Sequence, residues 1–134
     1  MAATRAGIVV YAKEVGRVAA FYAAVAGLDL VEATDGYVVL ASDALEFVVV
    51  RIPDEIAGTI EVATPPVRRT ETPLKPVLPV ADIASARQRA PGLGGVVDPP
   101  AREWRWGDTT VCDGNDPEGN VFQLRDPQPG AGGA

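Results

Sequence analysis

Gln123 and Arg125 stand two residues apart in the run Val121–Arg125, whose Val, Phe and Leu content marks a strand. Strand side chains alternate faces, so an amide and a guanidinium share one side with Val121, while Phe122 and Leu124 share the other. The same alternation in three further runs groups Gly7, Val9 and Tyr11, then Glu46, Val48 and Val50, then Lys75, Val77 and Pro79. The faces opposite are wholly apolar: Ile8, Val10 and Ala12; Leu45, Phe47 and Val49; Pro76, Leu78 and Val80. Those faces are expected to pack beneath helices. The remaining surface is mixed, with Glu46, Lys75, Gln123 and Arg125 as its polar groups. A largely apolar surface with a few polar side chains suits a small organic ligand. Glu46 is the candidate catalytic residue on it, because a carboxylate in an apolar pocket can hold its proton at neutral pH and act as a base.

The rest of the composition narrows the chemistry by exclusion. There is no histidine, which removes every triad or dyad that needs imidazole and the commonest ligand for zinc, iron and nickel. Cys112 is the only cysteine; it reads as a packing residue, and with no internal disulfide the default home is cytoplasmic. Ser42 and Ser85 lie in no nucleophile motif. Glu103 and Asp108 offer an acid and a base on spacing alone. Trp104 and Trp106 point to the same side of an extended segment. They form either an aromatic wall for a flat or cationic ligand, or a hydrophobic plug or dimer contact. The net charge of −6 argues against nucleic acid and would favour a cationic ligand. No apolar run is long enough to span a membrane, and residues 1–11 lack the layout of a secretory signal.

The elements that position these residues come in two series. Residues 7–12 read as a strand and 15–26 as a helix, with Val15, Val18, Ala19, Tyr22, Val25 and Ala26 on one face. Gly27 follows where helices often end. Strands are expected over 28–33, 37–41 and 45–51, the first two joined by the Asp35-Gly36 turn signal. A Pro- and Thr-rich stretch follows, within which 59–63 could form a short strand. The pattern then restarts: strand 75–80, helix 81–90, and strands 94–97, 109–113 and 121–125. An offset of 68 residues carries Gly7 onto Lys75 and Glu14 onto Asp82, and one of 77 carries Glu46 onto Gln123. Both acids open a helix, where the backbone dipole favours negative charge. We read one domain over 1–134: a βαβββ module at 5–56, a linker at 57–73, a second module at 74–126 and a disordered Pro/Gly/Ala tail at 127–134.

Two such modules, the Phe21-Tyr22 pair, Gly27-Leu28, and Asp116-Pro117-Glu118-Gly119-Asn120 ahead of the last strand resemble the vicinal oxygen chelate superfamily. That group includes glyoxalase I, bleomycin-resistance proteins and extradiol dioxygenases. The resemblance covers roughly residues 5–126. It implies an α+β fold, with a curved mixed sheet, a ligand cleft between sheets and completion by homodimerisation. Metal-using members of that family bring four ligands together, and by motif position the residues here are Gly7, Glu46, Lys75 and Gln123. Gly7 has no donor and Lys75 would repel a cation, so the expectation is no metal and no cofactor. Lys75 either takes the metal's electrostatic place beside Glu46 or extends to water. The expected function is binding, of a sequestering kind, of an aromatic or cationic small molecule. The alternatives are a metal-free enzyme using a carboxylate base, and a metal-dependent lyase or dioxygenase with substituted ligands. The expected ligand-binding set is Gly7, Val9, Tyr11, Glu46, Val48, Lys75, Val77, Trp104, Trp106, Gln123 and Arg125.

Overall fold

The computed structural model describes residues 5–127, so residues 128–134 of the expected tail lie outside it. The elements are β1 (Gly7–Ala12), α1 (Val15–Val25), β2 (Asp29–Ala33), β3 (Tyr37–Ala41), β4 (Glu46–Arg51), α2 (Asp54–Ala57), β5 (Val77–Pro79), α3 (Ile83–Arg89), β6 (Val96–Val97), β7 (Trp104–Trp106), β8 (Thr109–Asn115) and β9 (Val121–Asp126). The class is α+β, with two mixed sheets. The first has the order β1-β4-β3-β2, and the second has β5-β9-β8-β6 with β7 also pairing β8. Each sheet holds one parallel pair, β1 with β4 and β5 with β9. Four expectations change. Residues 59–63 form no strand, the strands expected at 75–80 and 94–97 shorten to β5 and β6, and the tryptophan segment is a strand, β7. Pro76 and Pro79 lack an N–H, which limits how far β5 can pair.

The alternation read from the sequence decides which faces are inside. Ala12, Phe47, Val49, Leu78, Val80, Phe122 and Leu124 are buried, while Val9 and Tyr11 are more than half exposed at 56% and 62%. Helix α1 lies under both sheets. Its Phe21 ring meets Phe122 at 5.7 Å, and its Tyr22 ring meets Phe47 at 4.4 Å and Phe122 at 5.7 Å. One core therefore joins both halves within a single chain. Burying four aromatic rings contributes on the order of 1.5–3 kcal/mol each, so the two sheets are not independent bodies.

The turn before β9 fastens that core. Asp116 accepts from Glu118 N at 2.8 Å and Asn120 N at 3.0 Å through Oδ1. Its Oδ2 accepts from Tyr22 Oη at 2.8 Å and Asn120 Nδ2 at 2.9 Å. Glu118 accepts from Lys13 N at 2.9 Å and Glu14 N at 2.9 Å, so a carboxylate from the second half sits at the start of α1. That is the end where the helix dipole favours negative charge. In the second half the arrangement is local: Asp82 caps α3 by accepting from Ala84 N at 3.1 Å, and Asp126 accepts from Ile83 N at 3.2 Å.

Candidate functional site

A seam runs between β1 and the approach to β5, while Gln123 on the second sheet is buried. A cavity of about 630 Å³ lies in the seam, and Gly7, Val9, Tyr11, Leu74, Lys75 and Arg69 are among its lining residues. Tyr22 and Asn120 also reach it. Of the expected ligand-binding residues, the cavity gathers Gly7, Val9, Tyr11 and Lys75. Glu46 and Val48 continue the same face one strand away, in register with Gly7 and Val9. Val77, Gln123 and Arg125 lie on the face of the second sheet, Val77 opposite Gln123. Trp104 and Trp106 are two strands further out, opposite Val111 and Thr109 on β8, and do not line this cavity.

Register revises the internal repeat. Gly7 pairs with Glu46, but Gln123 pairs with Val77, not Lys75. If Gln123 is the counterpart of Glu46, the counterpart of Gly7 is Val77, an offset of 70 in place of 68. Lys75 lies one pleat beyond the expected position. It does not pair with Glu46 either: Lys75 Nζ reaches Asp113 Oδ2 at 2.9 Å. Asp113 sits opposite Gln123 on β8, so the partner comes from inside the second sheet. Its other oxygen, Oδ1, is buried with no hydrogen-bond partner among the described residues. Glu46 is exposed and makes no ion pair among the described residues.

Gln123 and Arg125 are also engaged. Arg125 Nε donates to Gln123 Oε1 at 2.8 Å, and its guanidinium lies 4.2 Å from the centre of the Trp106 ring. A cation already covers Trp106, a cation–π contact worth about 0.5–1 kcal/mol at an exposed site. Among the described residues, no group of three or more His, Cys, Asp or Glu comes together to hold a metal ion. Cys112 is buried; burial pushes its thiol above the ordinary range, against a lowering contact from Arg87. That suits packing rather than nucleophilic attack. Glu103 is taken up by an ion pair with Arg87.

Arg69 was missed as a site residue, because the Arg68-Arg69 pair reads as linker. The two side chains have different partners. Arg68 is held by Asp98 at 2.6 Å and 3.1 Å and by Asn115 at 3.0 Å, and the hydrogen bond to Asp98 raises its pKa above the ordinary arginine value. Arg69 N donates to Gly119 O at 2.9 Å, and its side chain lines the cavity. The close approach needs a glycine: a Cβ at Gly119 would lie 2.1 Å from Val67 O, and φ there is +84°. The sequence signal available was that glycine.

A family model described as a glyoxalase-like domain matches residues 7–125. The chain belongs to that family, and so to the vicinal oxygen chelate superfamily. Similar solved structures include a glyoxalase/bleomycin resistance protein from Albidiferax ferrireducens, 16% identical over 90% of this chain and 96% of that one, with a TM-score of 0.64. A glyoxalase/bleomycin resistance protein/dioxygenase family enzyme from Burkholderia phytofirmans is 15% identical over 92% and 98%, with a TM-score of 0.61. A bleomycin resistance determinant encoded on the transposon Tn5 is 16% identical over 92% and 98%, with a TM-score of 0.59. At these identities the likeness is one of fold. No curated protein matches the sequence. No helix among the described residues is long and apolar enough to cross a membrane.

Proposed function

We propose that the protein binds a small organic molecule in the seam between its sheets, sequestering it without a metal ion. The observation that carries this reading is the cavity of about 630 Å³, a size ordinary for ligand sites. Its walls are largely apolar, with a few polar groups among them: Arg69, Thr72, Lys75 and Asn120. The donor set supports a metal-free site. Gly7 and Val77 have no donor atom, Lys75 is held by Asp113, and Gln123 Oε1 accepts from Arg125. Glu46 alone offers a free oxygen, and one carboxylate does not suit a divalent cation. The fold likeness to a bleomycin resistance determinant supports a binding role by analogy.

The test is a thermal-shift screen of neutral, anionic and cationic aromatic compounds on dialysed protein, with elemental analysis of the same sample. We expect stabilising compounds, since anything that binds only the folded state raises its stability, and no stoichiometric transition metal. Backbone amide signals of Gly7, Val9 and Tyr11 should move on binding. About one zinc, iron, nickel or manganese per chain, retained through dialysis and needed for an activity, would overturn the reading. Turnover of a compound that Glu46→Gln abolishes while sparing its binding would favour the enzyme reading instead.

A further inference from the structure

We propose that the seam cavity has an anion-binding end built from Arg69, Lys75 and Thr72, and that its ligand is a monoanion with an apolar body. This rests on the reading of the seam as a binding site. Acids outnumber bases eighteen to twelve over the chain, yet the charged residues lining the cavity are Arg69 and Lys75, both basic. This runs against the cationic ligand that net charge alone would favour, because the field at the cavity is set by the residues nearest to it.

The two cations are placed differently. Arg69 is anchored by its backbone to Gly119 and only weakly by its side chain, Nε lying 3.4 Å from Glu118 O. Its terminal nitrogens have no protein partner among the described residues. That outer fork is the part of a guanidinium that engages a carboxylate through two parallel hydrogen bonds. Lys75 donates one of its three N–H groups to Asp113, which holds the ammonium in place and leaves two donors. A side lobe of about 270 Å³ shares Arg69, Thr72, Lys75 and Val121 with the main cavity and adds Asp113. The other cation of that lobe, Arg68, is spent on Asp98. Arg69 and Lys75 against Asp113 leave one uncompensated positive charge, which matches one negative charge on a ligand. Val9, Tyr11 and Leu74, which line the same cavity, offer apolar area for the body of the molecule.

Three probes of one shape test this: 2-naphthoate, 2-naphthamide and 2-naphthylmethylammonium. Each is titrated into ¹⁵N-labelled protein and followed by amide shifts. We expect 2-naphthoate to bind at least about tenfold more tightly than 2-naphthamide, as charge-assisted hydrogen bonds allow, with the ammonium weakest. Arg69→Gln should remove about fivefold or more of the naphthoate affinity and change that for naphthamide less than about twofold. Arg69→Lys, which keeps the charge but loses the fork, should fall between. Arg51→Gln, which removes an exposed partner of Asp54, should change neither. If naphthamide moves the amides of Gly7, Val9 and Tyr11 and naphthoate binds no better, the anion end is wrong and the binding seam stands. The anion end is equally overturned if Arg69→Gln weakens both probes alike. If no probe moves those amides, the seam is not a ligand site and both proposals fall.

Discussion

Tyr22 donates its hydroxyl hydrogen to Asp116 Oδ2 across 2.8 Å, and that bond ties the first helix to the turn before the last strand. Both side chains are buried. Burial, reinforced by the neighbouring carboxylate, raises the Tyr22 pKa well above the ordinary tyrosine range. Burial also raises Asp116, against the lowering effect of hydrogen bonds from Asn120 and Tyr22. We expect Tyr22→Phe to cost about 1–2 kcal/mol, the net worth of a buried hydrogen bond plus an acceptor left one donor short. The pH dependence has a definite sign. A raised tyrosine contributes stability that is intact below the unfolded value of about 10 and is lost as pH climbs beyond it. Urea midpoints should therefore fall above about pH 10 in the wild type and less steeply in Tyr22→Phe. Asp116 is also raised, so its contribution is greatest at acid pH and falls as pH rises through its folded value; it does not drive acid unfolding. Parallel profiles for the two proteins above pH 10 would show that Tyr22 is not the alkaline-sensitive group.

Gly119 is the point where the crossover segment rests on that turn. Its φ of +84° and the 2.1 Å approach to Val67 O leave no room for a Cβ. Gly119→Ala should cost about 2 kcal/mol or more, through backbone strain and a clash with a carbonyl that cannot swing away. Gly92→Ala is the comparison: nothing lies within 4 Å of its added Cβ, and a change within about 0.5 kcal/mol is expected. Urea unfolding of both variants measures this. Because Gly119 O also receives the Arg69 N–H, the amide signal of Arg69 should move in Gly119→Ala and stay put in Gly92→Ala. Equal stability of the two variants would mean that the crossover packs loosely on the turn.

Much of this fold was legible because period-two alternation and the helical stripe are local. Ile8 and Val10 against Val9 and Tyr11, and Val18 with Tyr22, follow from spacing alone. What was not legible depends on lateral order. Asp113 finds Lys75 only because β9 lies between β8 and β5, an arrangement that chain order does not give. The offset of Lys75 by one pleat reflects the parallel register of β5 on β9, and an ungapped comparison of the halves cannot see it. Arg69 was hidden by composition: a Pro- and Thr-rich stretch reads as a linker until the missing side chain of Gly119 shows where it lands. The strand Trp104–Trp106 was seen as extended but not as paired, since its partners are supplied by Val111 and Thr109 across a tight turn.

Homodimerisation is expected from the edge strand β2. All five of its residues are exposed, with Leu30 at 64% and Val31 at 63%, and among the described residues it pairs only with β3. An exposed edge with apolar side chains is a template for pairing unless something covers it. Light scattering at micromolar concentration should return about twice the chain mass of 14.0 kDa. Leu30→Lys with Val31→Glu should shift the mass toward the monomer while leaving far-ultraviolet circular dichroism unchanged. A wild-type mass of one chain would remove β2 as an interface.

The two tryptophans give the last prediction, because they separate an aromatic wall from a structural plug. Trp106 is covered by Arg125, 4.2 Å from its ring centre, and Arg125 is in turn steadied by Gln123. Neither ring lines the seam cavity, whereas Tyr11 does. With only two tryptophans, the two indole N–H signals can be assigned by Trp104→Phe and Trp106→Phe. Saturating 2-naphthoate should move the Tyr11 amide and leave both indole signals nearly in place. Arg125→Ala should move the Trp106 indole strongly and cost about 0.5–1 kcal/mol of stability, the worth of an exposed cation–π contact. Its effect on naphthoate affinity should be small, since Arg125 points at the ring and not into the seam. If bound naphthoate moves the Trp106 indole as far as the Tyr11 amide, and Trp106→Phe weakens binding, then Arg125 swings off the ring to admit the ligand. The tryptophan strand would then be a wall of the site rather than a plug.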